Sequence, residues 1–116
     1  MSDQQDGSIN IFRALDWIRD HATEMAQAKA NRVMLEEMRK SKKALLMKSA
    51  EAKGHNTSAS QEREAYAHPE YMELLEGLKA AVEEEERLRW LMIGAQLRIE
   101  CWRSLEYSRR IEARTL

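Results

Sequence analysis

Between about Ile9 and Lys53 the chain has neither Gly nor Pro, and apolar residues return every three or four positions. The row runs Ile11, Leu15, Ile18, Ala22 and Met25, then resumes as Met34, Met38, Leu45 and Ala52. That spacing predicts helix. A phase change near residues 27–31 fits either one long helix or two with a bend. Gly54, followed by His55 and Asn56, is placed to stop it, with Lys53 in the last turn. Residues 54–60 (GHNTSAS) read as a loop. Ser58 with Gln61 three residues on predicts a capping box that opens a short helix through Ala67. Pro69 keeps His68 out of helical geometry and suits the first turn of the next helix, where Glu70 and Glu73 favour the dipole.

From there a heptad-like row, Leu74, Leu78, Ala81, Glu85, Leu88, Met92, Ala95, Ile99 and Trp102, runs without a stop signal. Gly77 and Gly94 weaken this helix locally but do not end it. Two long helices joined by a loop predict an all-α chain: a long antiparallel hairpin with a short helix near the turn. Over residues 88–105 a second row, Trp90, Ile93, Leu97 and Cys101, lies roughly opposite the first. A helix apolar on both sides needs partners on both sides. The expectation is a homo-oligomer whose interface draws on Leu15, Trp17 and Ile18 of the first helix. The last helix would contribute Leu88, Trp90, Met92, Ile93, Leu97, Ile99 and Trp102. Residues 1–8 read as a disordered N-terminus and 9–116 as a single helical domain.

Composition narrows the class. In 116 residues there are four Gly and one Pro, and 34% of the chain is charged. So few turn-formers leave little room for a sandwich, a barrel or several βαβ units. The single cysteine, Cys101, rules out an internal disulfide framework and a CxxC zinc site. No apolar run approaches the roughly 18 residues of a membrane span, and the polar start MSDQQDGS is unlike a signal peptide. A soluble, cytoplasmic protein without a membrane partner is expected.

The net charge of −1 hides strong patterning. Residues 32–53 carry net +4, residues 54–86 net −7, and residues 87–116 net +4. The first basic block holds Arg39, Lys40, Lys42, Lys43, Lys48 and Lys53. On a helix, Arg32, Arg39, Lys42, Lys43 and Lys53 share one flank within about 100°. Several cations at such spacing are what phosphate neutralisation requires, and each copy in an oligomer adds to the count. Taken alone, the stripe reads more simply as a solvated helix face. Tyr66 and Tyr71 bracket His68 and Pro69 beside the loop; an aromatic next to cations suits sequence-tolerant binding of single strands, because every base has a π face. Tyr66 is the stronger candidate, while either ring could instead pack the helix corner. The arginines of the second basic block have glutamates three or four residues away, such as Arg109 with Glu106 and Glu112, and read as helix-surface pairs. Glu85 intrudes on the apolar row and could pair with a cation of a neighbouring helix. If the long helices pair antiparallel from matched ends, residues 83–86 lie opposite roughly 37–41 and neutralise Arg39 and Lys40.

Signatures of catalysis are missing. His21, His55 and His68 show no metal-ligand spacing with one another or with Cys101, and there is no Walker loop, GxGxxG or GxSxG. A non-enzymatic protein is expected, with no metal and no cofactor.

The segment from Lys42 onwards runs KKALLMKSAEAKG, then a polar loop, then EREAYAHPEYMELLEGLKAAVEEEERLRWLMIGAQLRIECWRS and a basic tail. This resembles a group of short bacteriophage proteins that in turn look like distant relatives of the UvsY recombination mediators. The likeness covers about residues 35–112. It rests on Lys42-Lys43 before the loop, Glu64, Tyr66, Leu88, Trp90, Ala95, Ile99, Arg103-Ser104 and Ile111. It implies an all-helical ring that binds single-stranded DNA and helps a strand-exchange recombinase replace the single-strand-binding protein. Of the family's DNA-binding segment, Lys42, Lys43, Lys48 and Lys53 match here. The family's paired tyrosines do not; Ser49-Ala50-Glu51-Ala52 stand in their place.

Two functions therefore compete: a phage recombination mediator acting in the host cytoplasm, and a structural or adaptor oligomer for virion assembly or host-factor binding. A small transcription regulator is weaker, because no helix-turn-helix spacing appears.

Overall fold

The computed structural model describes residues 9–115; the stretch 1–8, read as disordered, lies outside them. The described residues form three α-helices and no strand: α1 (Ile11–Ala52), α2 (Ser58–Ala67) and α3 (Pro69–Thr115). α1 is one continuous helix through residues 27–31. Nothing in those residues breaks it, because the phase change reflects a change of apolar side chains and not a Gly or Pro. None of these helices is long and apolar enough to cross a membrane.

α1 ends as its glycine requires. The Gly54 amide donates to the Glu51 carbonyl and the His55 amide to the Ala50 carbonyl, both at 3.1 Å. That pair of bonds is a Schellman closure, and Gly54 sits at φ +105° to make it. Gly54→Ala is expected to lower the unfolding free energy by about 1–2 kcal/mol, read as a lower urea midpoint with helix content unchanged.

The next helix starts earlier than the capping-box reading has it. Thr57 is the N-cap, its Oγ1 accepting from the Ser60 amide at 3.1 Å. The loop is therefore 53–57 and not 54–60. Gln61 does not close a box on Ser58; its Nε2 donates to the His55 carbonyl at 3.0 Å, tying the loop to α2. His68 is extended (ψ 136°), as a residue before proline should be. Its Nδ1 accepts from the Glu70 amide at 3.1 Å, so the same side chain caps α3.

Within the span read as one domain, the chain groups into two compact units. The first comprises the described residues 9–25 with 87–115, and the second is Ala26–Glu86. In the second unit α1 and α3 pair antiparallel: Lys42 meets Glu70, and ten residues back Arg32 meets Glu85. α2 runs along the last turns of α1, where Leu46, Ala65 and Tyr71 form a buried cluster with Met47 and Leu75 packed against it. In the first unit Ala14, Leu88 and Ala95 are buried, and Arg87 meets Glu24 at 3.6 Å.

The inward row of α3 is the one expected, from Leu74 through Leu88 and Ala95 to Trp102. α1 differs. Met34, Met38 and Leu45, the apolar row of its second half, are exposed. The face turned inward carries Ala28, Arg32, Leu35, Leu46 and Ala50, all buried or half-buried. Apolar content alone picks the wrong face because the inward face carries a charge at Arg32, opposite the charge at Glu85.

Candidate nucleic-acid interface

The second unit gathers most of the first basic block at the end of α1, and the structure divides its cations into three kinds. Arg32 is held inside the helix pair. Its Nη1 donates to Glu36 Oε1 at 2.9 Å and its Nη2 to Glu85 Oε1 at 3.3 Å, while its Nε donates to Glu85 Oε2. Glu85 first, and Glu36 after it, raise the Arg32 pKa above the ordinary arginine value. This is a packing element, not a phosphate ligand.

Lys42 and Lys43 form the second kind. Lys42 Nζ lies 3.7 Å from Glu70 of α3, and Lys43 Nζ lies 3.1 Å from Glu62 of α2. Lys43 also sits over the Tyr66 ring, 4.8 Å from its centroid, a cation–π distance. Tyr66, and after it the Glu62 carboxylate, hold the Lys43 ammonium above the ordinary lysine value. A raised pKa of this sign contributes in full below about pH 10.4 and is lost only as pH rises through the higher folded value. The lysine is therefore charged throughout the neutral range.

The third kind is solvent-facing. Arg39, Lys40, Lys48 and Lys53 are all exposed. Lys40 pairs within its own helix, with Glu37 at 3.4 Å. The acidic run does not neutralise Arg39 and Lys40 as matched helix ends would have it, since Glu85 faces Arg32. The register differs because α2 occupies the last turns of α1, so α3 starts level with Lys42 and not with Lys53.

Tyr66 and Tyr71 take different roles. Tyr71 is 9% exposed and belongs to the core cluster, whereas Tyr66 is 45% exposed. Their rings meet edge to face at 5.4 Å, so the buried tyrosine fixes the exposed one. The result is an exposed aromatic ring beneath a lysine ammonium. Glu62 and Glu70 complete the picture; the sequence reading places Glu70 only as a first-turn acid of α3 and assigns Glu62 no role. Their signal was available, as two acids following a basic block across a short loop.

The residues read as an oligomer interface also separate. Leu88 is 1% exposed within the single chain and belongs to its core, so it is removed from that set. Trp17 and Ile18 of α1 and Met92, Ile93, Ile99 and Trp102 of α3 are half-buried. Trp17 stacks on His21 at 4.2 Å. Leu15 is exposed, and Trp90 and Leu97 are 61% and 53% exposed, leaving the second apolar row of α3 open except at Ile93. Cys101 of that row is a free, exposed thiol. In the second basic block Arg109 pairs with Glu106 as its spacing suggests.

No family model, curated protein or solved structure matches the chain.

Proposed function

We propose that the chain binds single-stranded DNA as a homo-oligomer and works as a phage recombination mediator, helping a strand-exchange recombinase displace the single-strand-binding protein in the host cytoplasm. The observation that carries this reading is Lys43 over the ring of the exposed Tyr66, with Lys48 exposed on the following turns of α1 and Lys53 exposed just after its end. Cation and π face together suit a phosphate and its neighbouring base in any sequence. The likeness to UvsY-type proteins supports the recombinase and ring assembly as partners of that contact. A second reading, a structural or adaptor oligomer without nucleic acid, is favoured by the carboxylates already paired with Lys42 and Lys43.

Fluorescence anisotropy with labelled oligonucleotides at low and moderate salt tests the proposal. Binding should be insensitive to sequence and fall steeply with salt. Lys43→Ala with Lys48→Ala should weaken it about equally for every sequence and flatten the log–log salt slope by up to about 1.4, at most about 0.7 per contact. Charge reversal at Arg109 and Arg110 should matter less. No binding at low salt would favour the adaptor reading. Loss of binding with the arginine change alone would move the contact to the C-terminal turns of α3.

A further inference from the structure

The lysine pair at the end of α1 is covered by acids from two other helices. Lys42 and Lys43 are adjacent in sequence, yet one reaches Glu70 on α3 and the other Glu62 on α2. Both carboxylates stand about half-exposed, 57% for Glu70 and 47% for Glu62, so each can swing into water at little cost. The pair Arg32 and Glu85 is built differently, with side chains 24% and 20% exposed and the guanidinium forked onto two acids. One ion pair is fixed and the other two are loose. When Glu62 swings away, Lys43 is not released from its place, because the Tyr66 ring still lies beneath it.

We propose that Glu62 and Glu70 are built-in competitors of phosphate, so that a single strand engages Lys42 and Lys43 only by displacing them. This rests on the reading of the lysine end as the single-strand contact. The device makes the site weak toward isolated or briefly encountered phosphates. It favours a continuous strand that also reaches Tyr66, Lys48 and Lys53. The competition lowers the salt dependence as well, since each displaced carboxylate recruits a cation as the phosphate sheds one.

The test compares Glu62→Gln with Glu70→Gln, in the full chain, against the unmutated protein, using labelled oligothymidylate in anisotropy titrations across salt. Glu51→Gln with Glu73→Gln serves as the control. It removes the same charge from exposed sites on α1 and α3 of the same unit. Glutamine is nearly isosteric with glutamate, and circular dichroism checks the helix content; each single variant is measured as well.

The expected result is binding about three- to tenfold tighter for the Glu62 and Glu70 variant at roughly 50 mM salt. Its log–log slope should be steeper by up to about 1.4, with the control near the unmutated value. Equal tightening in the control would make the effect a general change of charge and overturn the competition. Unchanged affinity in a protein that does bind DNA would also overturn it, leaving the DNA-binding reading in place. Absence of binding in every variant would overturn both.

Discussion

Leu88→Ala should lower the unfolding free energy by about 2–5 kcal/mol, a large loss for a chain of this size. Leu88 is the largest side chain that is fully buried among the described residues, at 1% exposure. Deleting three of its carbons removes their transfer free energy and leaves a void that rigid helix backbones cannot close. The other buried positions described in that unit, Ala14 and Ala95, are alanines, whose side chains have no rotamer that could refill the space. Urea unfolding followed by circular dichroism measures the change. A loss below about 1 kcal/mol would mean that the unit relaxes around the site or does not depend on it.

Replacing Trp90 or Leu97 with aspartate should dissociate the proposed oligomer while leaving each chain helical. Both lie on α3 away from the Leu88 and Ala95 face and are more than half-exposed in the single chain. The chain alone should therefore tolerate a charge there at a cost of at most a few tenths of a kcal/mol. In an interface the same aspartate is buried without a partner, which costs about 3–5 kcal/mol. Ile99 and Trp102 are poorer choices, since they share the inward row and an aspartate would first disturb the chain's own packing. Light scattering across a concentration series separates the species. A monomer already in the unmutated protein would end the oligomer proposal.

Much of the architecture was readable because its signals are local. Gly54 stops α1, Pro69 opens α3, and neither Gly77 nor Gly94 interrupts α3, each for a backbone reason carried by the residue itself. The errors concern registration between helices, which no local signal sets. Once α2 lies along α1, Glu85 comes level with Arg32, and the charge balance expected at residues 37–41 shifts by nearly two turns. The inward face of α1 escaped the apolar pattern for the same reason. Arg32 counts as polar until its partner is known, although Glu85, the one charge in an otherwise apolar row, had marked the position of that partner. At the candidate site, the cations and Tyr66 were legible from composition and spacing. The burial that separates Tyr66 from Tyr71, and the acids that cover Lys42 and Lys43, depend on tertiary contacts.

Five of the eight buried side chains among the described residues are alanines: Ala14, Ala28, Ala50, Ala65 and Ala95. Carbons added at buried positions have to push into the packed helices, an overpacking cost of about 1–3 kcal/mol. The helices are thus specified less by what fills the seam than by what must stay out of it. Drift along this chain would be lopsided: exposed residues outside the proposed interface and DNA contact can interchange, while the small residues of the seam stay small. A lineage under that constraint can keep its shape while its sequence wanders far, because alanine at helical spacing is a mark that many unrelated helices share.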